Sequence, residues 1–190
     1  MAEMRWIEKA LVNSRAYNYF FRHTFLKWFL DFCRLGGNCL EFGCGAGFTG
    51  REISRRFRVK LTSTDYDAMQ VAKARKLLEG SDVLVMQADA TALPFKEGSF
   101  DCVVESNALH HIAGYRKALS EAFRVLRSGG HFYIMDEGKG FMWPLTLLLP
   151  FDPFDAKFTK ESLMDDLGKA GFEIIKDRGK DVFMIEARKR

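Results

Sequence analysis

The stretch that decides the fold is Leu40-Glu41-Phe42-Gly43-Cys44-Gly45-Ala46-Gly47, which joins a predicted strand to a predicted helix. Its three glycines remove the β-carbons that would hold a ligand away from the backbone. The helix behind them presents N–H groups that have no partner within the helix. A ligand that carries a carboxylate or a phosphate fits such a loop. The alternative interpretation is a tight strand-to-helix turn that needs small residues for packing alone.

The same region contains a second glycine pattern, because Gly45, Gly47 and Gly50 satisfy the spacing G-x-G-x-x-G of dinucleotide sites. The position of these glycines relative to the end of the strand argues against a dinucleotide site. Gly43 directly follows the strand, so the close-approach glycines are 43, 45 and 47, and Gly50 lies a turn into the helix. Glu41 is an unfavourable neighbour for a pyrophosphate, whereas it can accept hydrogen bonds from an ammonium group. The loop therefore favours a zwitterionic ligand.

An acidic residue, Asp65, ends the next predicted strand and is followed by Tyr66. A carboxylate at this point can accept both hydroxyls of a ribose, and the aromatic ring can lie against a base. The alternative is that Asp65 only caps the helix that begins near Ala68. Asp67 is the better capping candidate, which leaves Asp65 available for a ligand.

Apolar runs typical of buried strands alternate with helical segments along the chain, which predicts an α/β architecture. The predicted strands are 38–42, 59–64, 82–87, 100–105, 131–136, 172–176 and 182–187. The predicted helices are 15–34, 48–57, 68–78, 113–126 and 160–170. The last two strands are too close in sequence for a crossover helix, so we expect them to form an antiparallel pair at the sheet edge.

Length and composition indicate one globular domain, since the chain has 190 residues, of which 47% are hydrophobic and 28% are charged. The net charge of +4 comes mostly from scattered residues and argues only weakly for a polyanionic partner. The four cysteines show no metal-binding spacing, and we expect them to be reduced thiols in a cytoplasmic protein. The charged N-terminus argues against a secretory signal, and the most apolar run, 141–151, is too short to cross a bilayer.

Further motifs lie at the end of the third predicted strand, in the fourth and just before the fifth, namely Gln87-Ala88-Asp89-Ala90, Phe100-Asp101-Cys102-Val103-Val104-Glu105 and Val125-Leu126-Arg127-Ser128-Gly129-Gly130. With them, the chain from about residue 40 to residue 186 resembles the class I S-adenosylmethionine-dependent methyltransferases. The resemblance implies a Rossmann-like, seven-stranded, mostly parallel sheet with an antiparallel C-terminal hairpin and helices on both faces. It also implies S-adenosyl-L-methionine as the cofactor and no metal. Ser128 departs from the family, which often has proline there.

In that family the glycine loop holds the methionyl part of the cofactor, the acid after strand two holds the ribose, and the acid after strand three holds the adenine amino group. A segment before the first strand folds over the cofactor as a lid in many relatives. The resemblance therefore implies cofactor contacts by Tyr17, Glu41, Gly43, Cys44, Gly45, Gly47, Asp65, Tyr66, Met69, Ala88, Asp89, Ala90, Glu105 and Ser106.

Two adjacent histidines, His110 and His111, follow the fourth strand at the end of the sheet where open α/β folds bind ligands. Histidine titrates near neutral pH and could take a proton from an acceptor. The alternative is that both rings pack against the following helix. We name both as candidate catalytic residues and prefer His110.

The expected organisation is a single methyltransferase domain over 1–190, with an N-terminal helical lid (1–37), a cofactor-binding core (38–136), a substrate-side loop (137–159) and a C-terminal helix and hairpin (160–190). The apolar run 140–151 predicts a wall for an apolar acceptor or a patch that contacts a membrane surface, with ordinary packing as the alternative. The aromatic stripe Phe21, Phe25, Trp28, Phe29 and Phe32 predicts a helix packed on the sheet.

The favoured function is methyl transfer from S-adenosylmethionine to a small apolar acceptor such as a quinone or lipid, with no nucleic acid as partner. One alternative is a catalytically silent subunit that binds the cofactor and supports a partner, and another is an RNA methyltransferase. A nicotinamide-dependent oxidoreductase is disfavoured by the glycine register. The acceptor atom, the use of a general base and the oligomeric state remain open at this point.

Overall fold

The computed structural model describes residues 22–138 and 158–190, and a seven-stranded sheet forms the centre of these two ranges. The strands are β1 Gly37–Phe42, β2 Val59–Asp65, β3 Leu84–Gln87, β4 Phe100–Ser106, β5 Leu126–Glu137, β6 Phe172–Gly179 and β7 Val182–Lys189. Their order is β3-β2-β1-β4-β5-β7-β6. Only β7 is antiparallel to its neighbours β5 and β6, which confirms the mostly parallel sheet with a C-terminal hairpin.

Five α-helices cover the sheet in the described ranges. They are α1 Lys27–Phe32, α2 Phe48–Arg56, α3 Ala68–Leu77, α4 Tyr115–Val125 and α5 Lys160–Lys169. A π-helical turn, Arg22–Leu26, precedes α1, and a 3₁₀ turn, Leu109–His111, precedes α4.

Helices cover both faces of the sheet because the central strands are apolar at consecutive positions rather than at alternate ones. In β4, Val103 contributes to the core formed with α4 and α5, whereas its neighbours Cys102 and Val104 contribute to the core formed with α1 and α2. Successive side chains of a strand point to opposite faces, so such a strand must be buried on both sides.

The predicted aromatic stripe is only partly confirmed in α1. Phe29 and Phe32 are buried, but Trp28 is 57% exposed, and its ring is nearly perpendicular to that of Phe25 with the centroids 6.5 Å apart. The buried residues of α1 also include Leu30, which lies about 200° from Trp28 around the helix, so the buried face is turned away from Trp28. Phe21 and the predicted helical residues 15–21 lie outside the described ranges.

Strand β5 begins at Leu126 rather than at the predicted residue 131, so Gly129 and Gly130 lie inside the strand. The pairing of β4 with β5 shifts register between Phe100 and Cys102. A Cβ on Gly130 would come within 2.9 Å of the Arg127 carbonyl oxygen, so the bulge requires a glycine there.

The cysteine expectation was wrong for one pair, because a disulfide joins Cys39 on β1 to Cys102 on β4. These residues are direct partners in the parallel register, and their Cα atoms are 4.8 Å apart. Cys33 and Cys44 are free and buried. The two cysteines meet because β1 and β4 pair in the sheet. They are 63 residues apart in sequence, so their spacing does not predict this contact.

Helices of the kind that span a bilayer, both long and continuously apolar, do not occur in ranges 22–138 and 158–190.

Candidate active site

The candidate site lies at the carboxyl ends of neighbouring strands β2, β1, β4 and β5. This edge receives the glycine loop after β1, Asp65 after β2, the turn after β4 and the acidic end of β5. The change in strand order between β1 and β4 makes it the edge where open α/β sheets bind ligands.

The glycines of the loop after β1 serve different purposes, although all three have positive φ angles of 67°, 52° and 87° at Gly43, Gly45 and Gly47. A Cβ on Gly43 would come within 2.3 Å of the Ala108 Cβ, and one on Gly47 would lie 3.0 Å from the Ala74 Cβ. A Cβ on Gly45 would meet nothing within 4 Å. Close packing thus explains Gly43 and Gly47, whereas Gly45 leaves its backbone open for a ligand.

Glu41, the second-last residue of β1, is only 1% exposed. Its Oε2 accepts a hydrogen bond from the Ser63 hydroxyl at 2.5 Å, and its carboxyl also accepts one from the Gly50 N–H. Burial raises the pKa of Glu41 to about 7. The side chain therefore has partners within the protein, and its predicted contact with a ligand ammonium group stays a prediction.

Asp65 braces the glycine loop through both carboxylate oxygens. Oδ2 accepts the Gly45 N–H at 2.8 Å and Oδ1 accepts the Asp67 N–H at 2.9 Å. Each oxygen has a second lone pair, so the carboxylate can still accept ribose hydroxyls. Asp67 caps α3 by accepting the Met69 N–H, as predicted.

The residues predicted to surround an adenine ring also come to this edge. Tyr66 and Met69 are exposed, and the Ala88 N–H donates to the Asp65 carbonyl oxygen at 3.0 Å. Asp89 Oδ1 accepts the N–H and the hydroxyl of Thr91 at 2.7 and 2.8 Å. The bonds of Asp65 and Ala88 tie the glycine loop, the β2 end and the β3 end together.

The turn after β4 is organised by the buried carboxyl of Glu105. Oε1 accepts the Ala108 N–H at 2.6 Å and the Leu109 N–H at 3.0 Å. Burial and the neighbouring Asp136 carboxylate raise the pKa of Glu105 well above its usual range. Ser106 Oγ is buried and has no hydrogen-bond partner in the described part of the chain, which fits a ligand at this point.

His110, at the end of this turn, is held by Asp136 of β5. Its Nδ1 lies 2.5 Å from Asp136 Oδ1, and its backbone N–H donates to Oδ2 at 3.1 Å. The ring of His111 is only half-buried, with its centroid 3.9 Å from that of His110. Sequence reasoning missed Asp136 and its neighbour Glu137, although two acids ending a buried strand are a signal that could have been noticed.

The remaining predictions are tested only in part. Tyr17 and the apolar run 140–151 lie outside the described residues. Within the ranges that the structure covers, no group of His, Cys, Asp and Glu side chains has the arrangement of a metal site. The open backbone at Gly45, the second lone pairs of Asp65 and the buried Ser106 hydroxyl together fit a nucleoside ligand with a methionyl tail.

Comparisons with known proteins agree with this geometry. A family model described as a methyltransferase domain matches residues 40–134, which is half of the chain. A protein of Mycolicibacterium smegmatis named "probable S-adenosylmethionine-dependent methyltransferase" is 29% identical over 169 residues, covering 88% of this chain and 64% of its own length. The ubiquinone/menaquinone biosynthesis C-methyltransferase UbiE of Pasteurella multocida is 37% identical over 128 residues, covering 64% of this chain and 48% of its own. The chain thus spans about half to two thirds of the length of these relatives.

Among solved structures, the methyltransferase in a complex with the Trm112 methyltransferase activator of Haloferax volcanii superposes with a TM-score of 0.80. The match covers 98% of this chain and 99% of that chain at 15% identity, and it supports the fold alone. The family match, the relatives and the site geometry lead to one assignment. This chain belongs to the methyltransferase domain family.

Proposed function

We propose that this chain transfers the methyl group of S-adenosylmethionine to a small apolar acceptor, such as a quinone or a lipid, by in-line displacement. The observation that carries the proposal is the open backbone of Gly45 braced by Asp65, at the same sheet edge as His110. The donor part and the proton-accepting part of a methyl-transfer site are thereby neighbours.

The chain's own residues would hold the cofactor along this edge. The methionyl part would lie against Gly43 to Gly47 and the Ser106 hydroxyl, the ribose against Asp65, and the adenine against Tyr66, Met69 and residues 88–90. When bound, the sulfonium supplies an activated methyl group, whose carbon bonds to the acceptor while the sulfur keeps the electron pair of the broken bond. The protein then has to hold the acceptor close and in line.

An apolar acceptor is supported by the quinone-pathway C-methyltransferase among the relatives and by the apolar run 140–151. The connection that contains this run leaves β5 at Glu137, close to His110 at the carboxyl edge of the sheet. We therefore propose that 1–37 and 137–159 form the acceptor side of a single domain, that 38–136 binds the cofactor, and that 160–190 completes the sheet. Contact of the apolar run with a membrane surface is part of the same proposal.

A base is needed only for some acceptors, since a hydroxyl or a carbon acid must lose a proton whereas a thiolate or a free amine attacks as supplied. We propose His110 for this role in preference to His111, because the bonds to Asp136 fix the His110 ring.

Calorimetry with S-adenosylhomocysteine tests cofactor binding. We expect micromolar affinity, no binding of NAD or NADP, and loss of affinity by about 10-fold or more in Asp65→Ala. Asp101→Ala is the matched control, because Asp101 likewise accepts a backbone N–H, that of Asn38 on β1, but at the opposite edge of the sheet. Equal affinity of Asp65→Ala and Asp101→Ala would contradict the assignment of the site.

Transfer of labelled methyl groups to quinones, lipids, amines and RNA then tests the activity. The alternative is a cofactor-binding subunit that supports a partner, which is compatible with a structural neighbour solved beside a methyltransferase activator. Cofactor binding without transfer to any acceptor favours that alternative, and methylation of RNA alone favours a nucleic-acid substrate.

A further inference from the structure

We infer that Asp136 and Glu105 are positioning residues that set His110 as a proton acceptor, so that the acceptor molecule is one that must lose a proton, a hydroxyl compound or a carbon acid. This inference rests on the proposed methyl transfer and adds to it the chemical class of the acceptor. Neither carboxyl contacts the glycine loop or the Asp65 side chain in the hydrogen bonds of the site.

The contacts of Asp136 determine the tautomer of His110. Two backbone N–H groups donate to Asp136, that of His110 at 3.1 Å and that of Glu137 at 2.7 Å, and the His110 ring nitrogen Nδ1 lies 2.5 Å from Oδ1. A side chain that receives two backbone N–H groups is suited to being a carboxylate, which can only accept. The His110 Nδ1 must then carry a hydrogen, and the lone pair of the neutral ring is on Nε2.

Asp136 also fixes the orientation of the His110 ring. The two oxygens of Asp136 bind the backbone and the ring of the same residue, so the imidazole cannot turn without breaking a charge-assisted hydrogen bond. His110 is 2% exposed and Asp136 is fully buried, and in such surroundings these bonds are stronger than in water.

Glu105 holds the two residues before His110 by accepting hydrogen bonds from their N–H groups. Its raised pKa favours the neutral carboxyl, whose carbonyl oxygen still accepts both bonds. A neutral Glu105 holds the turn without adding a second negative charge beside Asp136. The Ala108 of the same turn packs on Gly43, so the glycine loop limits how far the turn can move.

The charged and titratable groups around His110 determine what it can do. Asp136 and Glu137 face it from β5, Glu105 lies on β4, and His111 is its neighbour in the turn. Glu137 Oε1 lies 3.8 Å from Nε2. These surroundings stabilise an imidazolium, so the proton released by the acceptor passes to His110 Nε2 and then to solvent. An acceptor that attacks as a thiolate or a free amine does not need a positioned proton acceptor.

The tautomer can be measured on the wild-type protein without any acceptor. We expect ¹⁵N NMR above the titration of His110 to show the hydrogen on Nδ1, with the signal assigned by its loss in His110→Gln. An Nε2–H tautomer in the wild-type protein overturns the inference. This readout is independent of turnover, so it remains valid if no acceptor is ever methylated and the proposed function fails.

Kinetics on a hydroxyl or carbon acceptor supply the second test. Asp136→Asn removes the charge that stabilises the imidazolium, and its NH2 group must face a backbone N–H in either orientation. We therefore expect kcat to fall by about 100-fold or more, with affinity for S-adenosylhomocysteine within about twofold. The kcat of the wild-type enzyme falls as the pH falls and His110 becomes protonated. Loss of the Asp136 charge destabilises the imidazolium and moves this limb of the profile to lower pH.

The controls separate positioning from folding. Asp166→Asn removes a buried carboxylate bonded to Tyr115 and Arg116, outside the site, and should leave kcat and its pH profile unchanged.

Glu105→Gln keeps an oxygen for the two N–H groups and should retain activity within about threefold, whereas Glu105→Leu should lower it by about 10-fold or more. If Asp136→Asn does not fold, the inference is tested by the tautomer of the wild-type protein and by the contrast between Glu105→Gln and Glu105→Leu. Unchanged rates and pH profiles in folded Asp136→Asn, or equal rates for Glu105→Gln and Glu105→Leu, overturn the inference.

Discussion

Glu41 shows how burial changes the chemistry of a single residue. Sequence reasoning expects an ionised acid that faces a ligand, but the carboxyl lies under α2 with Ser63 and Gly50 as its partners. Removal from water penalises the charged form more than these bonds stabilise it, so the pKa rises. The position of the acid could be predicted from the loop motif, whereas its charge state depends on the helix packed above it.

This residue makes the stability of the cofactor-free protein dependent on pH. The folded form keeps a proton on Glu41 up to a pH of about 7, whereas the unfolded chain releases it near 4.5. The unfolding free energy therefore falls as the pH rises between these values, by on the order of 3 kcal/mol for this group.

We expect Glu41→Gln, which resembles the protonated acid, to lack this contribution. We expect the unfolding free energy of Glu41→Gln, relative to that of the wild type, to be higher at pH 8 than at pH 5, as measured by urea denaturation at both values. Glu79→Gln controls for the loss of one carboxylate at an exposed position. A difference that stays constant with pH would show that Glu41 is ionised in the folded protein throughout.

At the scale of elements, the close packing of α2 against the sheet depends on one glycine. A Cβ on Gly50 would come within 2.7 Å of Glu41 Oε2 and 2.9 Å of Ser63 Oγ, so the helix can approach β1 and β2 this closely only without a side chain. The dinucleotide-like spacing that includes Gly50 is therefore explained by packing between helix and strands.

We expect Gly50→Ala to lower the unfolding free energy by about 1–3 kcal/mol, because the buried partners cannot move away. Gly168→Ala is the matched control in α5, where a Cβ would meet nothing within 4 Å. That variant should gain about 0.5–1 kcal/mol from helix propensity. Chemical denaturation of both variants measures the contrast, and a stabilised Gly50→Ala would show that α2 has room to shift.

At the scale of the whole molecule, the sheet connects segments that are distant in sequence. The disulfide between Cys39 and Cys102 closes a loop that contains β2, β3 and both helices α2 and α3. The strand order requires this connection to leave β1 on one side and return on the other.

The disulfide can be checked by counting thiols. The chain unfolded in denaturant without a reductant should titrate two thiols, Cys33 and Cys44, and the same sample after reduction should titrate four. Four thiols before reduction would mean that the pair is reduced in solution. A Cys39→Ser variant, which should then show three thiols, identifies the residues involved.

The sequence by itself determined the alternation of strands and helices, the hairpin at the sheet edge, the glycine loop and the acid after β2. These features depend on local preference and on periodicity, which are properties of neighbouring residues. Only the tertiary structure decided which glycines pack and which stays open, the direction of Trp28, the pairing of Cys39 with Cys102 and the partnership of His110 with Asp136. Each of these depends on contacts between segments that meet only when the strands are ordered in the sheet, and no local pattern encodes that order.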